Sequence, residues 1–115
     1  MAIDPEVIRA DLVGLGLNED PKSAASIANY ASLLQQWNDI YNLTSIRDPQ
    51  GIRVQHLLDC LAIVPILRRR FVADKALRVL DVGSGGGLPG VILAILHPKW
   101  QVDCIDAVAK KVAFV

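Results

Sequence analysis

At 115 residues, 52% of them apolar, the chain is long enough for one domain with a core of its own. Twelve basic and twelve acidic side chains give a formal net charge of zero, so a polyanion has to be met by a local patch and not by the field of the whole molecule. Cys60 and Cys104 lie far apart without metal-ligand spacing and read as reduced, buried thiols of a cytosolic protein; no metal is expected.

The N-terminal "MAIDPEVIRADL" has neither a basic n-region nor a long apolar stretch. No apolar run approaches the roughly 18 residues of a membrane span. A cytoplasmic protein that does not engage a membrane is expected.

The first seventy residues read as helical. Asp4-Pro5 places an N-cap residue before a proline at the first helical position, and Gly14 and Gly16 end that short helix. A longer helix starts near Lys22 or Ser23. Its Ile27, Tyr30, Leu34, Trp37 and Tyr41 follow steps of three and four, giving one apolar stripe. Core packing is preferred for these aromatics over a platform for stacked bases.

After the polar break "NLTSIRDPQG", Asp48-Pro49 starts a third helix. Val54, Leu57, Leu58 and Leu61 are predicted on its buried face. His56 and Asp59, three residues apart, fall on the opposite face with Ile52 and Ile63. Pro65 should kink or end the helix, and Arg68, Arg69 and Arg70 close the segment.

The pattern changes at Ala76. "ALRVLDV" is a short β-branched run bounded by glycine, as expected of a buried parallel strand. "LPGVILAILH" follows as an apolar helix with Pro89 in its first turn, and Pro98 stops it. "QVDCID" is a second strand and "AVAKKVAFV" begins another helix. The fold class is therefore α/β: a helical segment over 1–72, then over 73–115 the first β-α-β part of a doubly wound sheet. Such sheets have about four to six strands or more, so the chain is expected to be the N-terminal part of a longer protein, shortened by design or by proteolysis.

The stretch "LDVGSGGGLPG", Leu80 to Gly90, holds five of the eight glycines. Two registers fit it. Gly85, Gly87 and Gly90 match G-x-G-x-x-G, the dinucleotide pattern of nicotinamide- or flavin-dependent oxidoreductases. Asp81, Gly83, Gly85 and Gly87 match D-x-G-x-G-x-G, the pattern of Rossmann-like S-adenosylmethionine-dependent methyltransferases. A dinucleotide loop puts its first glycine directly at the strand end, where the helix N-terminus reaches a pyrophosphate. Here a carboxylate, Asp81, takes that place. It repels a pyrophosphate and suits a ligand carrying an ammonium and a sulfonium, so the second register is preferred. Asp106 ends the second strand nineteen residues after Gly87, where an acid accepts both ribose hydroxyls, or caps the next helix, or does both. Leu88 is an apolar wall against the ligand or a core residue.

The blocks "QQWNDIYNLTSIRDPQGIRVQHLLDCL", "LDVGSGGGLPGVILAI" and "IDAVAKKVAFV" resemble the bacterial small-subunit ribosomal RNA methyltransferase G family, also called glucose-inhibited division protein B. The matching blocks span about two-thirds of the chain, Trp37 to Val115. "YNLTSIRDP", "HLLD" and "GLPG" together are far more specific than the glycines alone. The resemblance implies methyl transfer from S-adenosylmethionine to N7 of a guanosine in 16S rRNA. It implies cofactor contacts at Gly83 and Leu88 with Asp106 at the ribose, and places His56, Asp59, Asn42 and Thr44 beside the cofactor pocket. His56 and Asp59 are expected to hydrogen-bond each other or to touch cofactor or base. Asn42 and Thr44 shape the turn or meet substrate. Cys60 follows Asp59 where the family has a serine.

Guanine N7 carries a free lone pair, so the chemistry needs alignment and no general base. Arg68, Arg69, Arg70, Lys75 and Arg78, with Lys110 and Lys111, are the candidate RNA-facing charges, although arginines at a helix C-terminus are equally a solvated cap. Two competing readings remain: an oxidoreductase fragment using Gly85, Gly87 and Gly90, or a non-catalytic chain that self-associates through an exposed sheet edge.

Overall fold

The computed structural model describes residues 3–17, 19–41, 43–44, 46, 48–71 and 75–115. In chain order these form α1 (Pro5–Gly14), α2 (Pro21–Tyr41), α3 (Pro49–Gly51), a π-helix (Ile52–Leu58), α4 (Asp59–Ala62), α5 (Val64–Arg70), β1 (Arg78–Val82), α6 (Gly90–Leu96), β2 (Gln101–Ile105) and α7 (Ala109–Phe114). No described helix is long and apolar enough to cross a membrane.

One local device starts three helices. In each of Asp4-Pro5, Asp20-Pro21 and Asp48-Pro49 the carboxylate accepts an amide of the first turn while proline presets the helical φ. Asp4 accepts from Glu6 N at 2.9 Å, Asp20 from Lys22 N at 2.9 Å and Asp48 from Gly51 N at 2.8 Å. α2 thus begins at Pro21, slightly earlier than the sequence predicts, because "EDP" carries the same signal as the other two sites. α1 stops as expected: Gly16 turns left-handed at φ 76°, letting Leu17 N bond Leu12 O at 2.8 Å.

The third predicted helix differs from expectation in its winding. Ile52–Leu58 is a π-helix, whose i→i+5 bonds widen the turn. The widening changes which side chains face inward. Ile52 and Leu57, five apart, are buried together with Leu61, whereas Val54, predicted inside, is exposed. Pro65 acts as predicted: α4 ends at Ala62, and α5 restarts with the proline in its first turn.

The core is continuous from the helical segment into the β-α-β unit. Ile8 and Leu12 of α1, Ile27 and Leu34 of α2, Leu61 of α4 and Ile92 and Leu96 of α6 join a single buried cluster. Two polar ties brace its rim. Arg53 grips Asp11 with both ends of its guanidinium, Nε to Oδ2 at 2.8 Å and Nη2 to Oδ1 at 2.6 Å, pinning the π-helix to α1. Arg68 pairs with Glu19 and donates from Nε to His97 Nε2 at 3.1 Å. That nitrogen must be unprotonated, so Nδ1 carries the proton and donates it to Leu93 O at 2.9 Å. Burial pushes the His97 pKa down and keeps the ring neutral, stacked on Trp100 with centroids 3.7 Å apart.

β1 and β2 run parallel, Arg78 opposite Gln101 and Val82 opposite Ile105. α6 lies on the face formed by Val79, Asp81, Val102 and Cys104. The other face is open among the described residues: Leu80 is 60% exposed and Val82 70%. The expectation of a buried strand is therefore not met: the residues under α6 are half-buried and those on the other face exposed, because a single helix covers the pair.

α6 approaches that sheet through Gly90. A Cβ there would lie 2.5 Å from Cys104 Sγ and 2.9 Å from Asp81 Oδ2. Gly90→Ala is therefore expected to destabilise the chain by about 1–3 kcal/mol, the usual cost of overpacking. Urea unfolding checks this, and an unchanged midpoint would mean that α6 sits farther from the strands.

Candidate functional site

The glycine turn follows directly from the strand pairing. Beyond Val82, Gly83 N and Ser84 N both donate to Ile105 O, at 2.8 and 3.1 Å, so the end of β2 aims the loop. Ser84 is buried, and its carbonyl accepts from Gly87 N at 3.0 Å and Leu88 N at 3.1 Å. Gly85 sits in the left-handed region at φ 58° with open space where a side chain would begin, leaving the backbone accessible to a ligand.

Three side chains from three elements then fix the turn. Asp106, just past β2, accepts from Gly85 N through Oδ2 at 2.9 Å and from Val108 N through Oδ1 at 2.8 Å. Tyr30 of α2 donates its hydroxyl to Gly86 O at 2.6 Å. Asp81 of β1 accepts from Gly90 N at 2.9 Å and so occupies the N-terminus of α6 with its own carboxylate.

A cavity of about 260 Å³ opens beside this turn. It is lined by Leu34, Leu43, Thr44, His56, Ser84, Gly85, Gly86 and Leu88. One wall is the glycine turn; the facing wall is Thr44 and His56. His56 Nε2 lies 2.9 Å from Thr44 Oγ1, which also accepts from Ile46 N at 3.2 Å. Asn38, buried in α2, sets this segment by accepting from Thr44 N at 2.8 Å and donating to Ile46 O at 3.4 Å. Burial depresses the His56 pKa, opposed by the charge of Asp59, so the ring is neutral at pH 7.

Among the residues predicted from sequence, Thr44, His56, Gly85 and Leu88 thus line one cavity. Gly83, Gly87, Asp81 and Asp106 are outside that lining; Asp106 holds the turn at Gly85 N and Asp81 holds Gly90 N. Asp59 is exposed and outside the cavity lining, and the expected His56–Asp59 hydrogen bond is replaced by His56–Thr44. The π-helix explains the change, since its wider turn shifts the imidazole to Thr44. Asn42 lies outside the described residues, as does the side chain of Tyr41. Cys60 is half-buried; burial, with the charges of Asp59 and Asp81, pushes its pKa up to about 11, so it stays a thiol. Of the basic candidates, Arg68 is held by Glu19 and His97. Arg69, Arg70, Lys75, Arg78 and Lys110 are exposed, and Lys111 is half-buried. The described residues hold no cluster of metal-ligating side chains.

Sequence reasoning missed Ser84, Tyr30 and Asn38 as site residues. Tyr30 was legible only as a member of the apolar stripe. The polar tip on that stripe was the available signal, because a buried hydroxyl needs a partner.

A parallel β-α-β unit with a glycine turn at its strand ends and an acid after β2 is an arrangement that more than one class of protein uses. Comparison with known proteins narrows it. The family model described as rRNA small subunit methyltransferase G matches residues 23–115. A protein of Bordetella petrii named ribosomal RNA small subunit methyltransferase G is 54% identical over 101 residues, covering 88% of this chain and 40% of that protein. Proteins of the same name from Leptothrix cholodnii and Burkholderia multivorans are 50% identical over 116 residues and 59% over 88. The first covers 100% of this chain and 52% of its relative, the second 76% and 37%. The chain belongs to the rRNA small subunit methyltransferase G family, and it spans about half or less of the length of these relatives.

The two depressed ionisations give the site a pH signature. The amides of Val108 and Gly85 hold the Asp106 carboxyl below the usual carboxylate range. A depressed folded-state pKa means that the unfolded chain takes the proton first. The Asp106 contribution is therefore present above about pH 3.9 and is lost as pH falls through its folded value. The same sign holds for His56 from about pH 6.5 downward. NMR titration should show His56 titrating below 6.5, and the Gly85 amide protected until Asp106 protonates. A His56 midpoint above 6.5 would contradict the placement of its ring.

Proposed function

We propose that the protein represented by this chain is an S-adenosylmethionine-dependent methyltransferase acting on N7 of a guanosine in 16S rRNA. The sheet begun by β1 and β2 is then Rossmann-like, completed in the longer protein, with 1–72 its helical N-terminal part. Its partner is the small ribosomal subunit or its RNA, and its setting the cytoplasm. The observation that carries the reading is the occupied N-terminus of α6. Asp81 sits on Gly90 N, where a dinucleotide would need its pyrophosphate, so the glycine turn suits a cationic ligand better than an oxidoreductase cofactor. Membership of the rRNA small subunit methyltransferase G family supports the same choice.

The residues fit the group. The Asp106 carboxylate has about four acceptor positions, of which two amides take two, leaving capacity for ribose hydroxyls. Gly83, Gly85 and Gly87 give close backbone approach, with Asp81 toward the methionine end and Leu88 as the apolar wall. Bound there, S-adenosylmethionine supplies an electrophilic methyl on a sulfonium. The chain's own task is alignment: Thr44 and His56, which line the cavity with the turn, hold the acceptor base. A neutral His56 adds no positive charge near the sulfonium. The base must be splayed out to enter, and Arg69, Arg70, Lys75, Arg78, Lys110 and Lys111 are the charges that would meet the RNA backbone.

Calorimetric titration of the chain with S-adenosylhomocysteine and, separately, NAD tests the cofactor. Saturable binding of the first alone is expected, weakened roughly 10- to 100-fold by Asp106→Ala, as for loss of charge-assisted hydrogen bonds. Binding of NAD alone would reverse the assignment.

A second property rests on the two-stranded sheet. Among the described residues β1 and β2 pair only with each other, and we infer that the 115-residue chain self-associates through the exposed sheet edge. Sedimentation is expected to show concentration-dependent dimers; a clean monomer at high concentration would refute this.

A further inference from the structure

Helix α2 reaches both walls of the cavity with one row of side chains. Tyr30, Leu34 and Asn38 are spaced four apart and therefore line one helix face. Tyr30, 7% exposed, donates to Gly86 O at 2.6 Å. Leu34 packs under the same residue, where a Cβ on Gly86 would lie 3.0 Å from Leu34 Cδ1. Asn38 holds the opposite wall through Thr44 N and Ile46 O. The Tyr30 ring is itself held by Phe114 of α7, centroids 6.2 Å apart, and Trp37 braces Phe114 at 5.8 Å. Burial pushes the Tyr30 pKa well up, so its hydroxyl remains a donor at every physiological pH.

We propose that α2 is the positioning element of the site, with Tyr30 holding the glycine turn through the Gly86 carbonyl at a set distance from the Thr44–His56 wall that Asn38 holds. For its consequence on ligand affinity this rests on the reading of the turn as the S-adenosylmethionine site. The physical ground is entropy. Gly85, Gly86 and Gly87 have more backbone freedom to lose than any other tripeptide. Without the hydroxyl, the Gly86–Gly87 peptide plane is held only through Gly87 N on Ser84 O, and the turn gains freedom. A ligand would then have to order the turn on binding.

Tyr30→Phe tests this, since it keeps the ring against Phe114 and removes only the hydroxyl. Two readouts are taken on the same chain: amide exchange at Gly85 and Gly87, and affinity for S-adenosylhomocysteine. Loss of protection at both glycines and about five- to tenfold weaker binding are expected, with the His56 titration unchanged because Asn38 still holds that wall. A shift of His56 in parallel would mark general loosening and overturn the positioning role. Unchanged glycine exchange, or loosened glycines with unchanged affinity, would overturn it as well. Should the unaltered chain bind no S-adenosylhomocysteine, the cofactor reading fails, while the glycine amides still decide whether Tyr30 holds the turn. If the variant does not fold, the Tyr30 hydroxyl proton of the unaltered chain decides: a resolved, slowly exchanging resonance supports the bond, and fast averaging with water refutes it.

Discussion

Three consecutive glycines cost more to order than any other three residues, and Gly85–Gly87 hold one shape only because Asp106, Tyr30 and Ser84 take their polar groups. Each partner comes from a different place: the end of β2, the middle of α2, and the loop itself. The glycine turn is thus a property of the assembled chain. Its accessibility comes from glycine, and its definition comes from residues 21 and 55 positions away in sequence, Asp106 and Tyr30 from Gly85.

The same arrangement explains why the helical segment and the β-α-β unit share a core. Ile27 and Leu34 of α2 are buried in one cluster with Ile92 and Leu96 of α6. That packing brings α2 against the turn, so its polar side chains reach Gly86 on one side and Thr44 on the other. The cavity is the gap between two surfaces that one helix registers. The π-helix completes it by swinging His56 to Thr44 and away from Asp59, a local distortion of the kind found at functional sites.

Charge is used locally. Asp81 and Asp106 are engaged by backbone amides, Asp11 by Arg53, and Glu19 by Arg68. The zero net charge therefore does not describe the charge that the surface presents locally. Arg53 and Arg68, bound within the fold, are withdrawn from it. Arg69 and Arg70 remain exposed at the end of α5, where the helix dipole also favours them.

The order of elements was written in local chemistry: aspartate-proline pairs at three helix starts, glycine at the end of α1, β-branched runs for β1 and β2, and a glycine cluster between them. Those signals act within a few residues, so the sequence alone determined the β-α-β unit and the location of the glycine turn. The Asp20 start is equally local: its carboxylate and Pro21 open α2 as the other two pairs open their helices. What tertiary structure decided were the partners. Val54 turned outward because the backbone adopted a π-helix that no short-range propensity announces. His56 chose Thr44 over Asp59 for the same reason. Tyr30 and Asn38 became site residues because a hydroxyl and an amide on an apolar stripe are satisfied only by groups distant in sequence, and long-range hydrogen bonds leave no trace in periodicity.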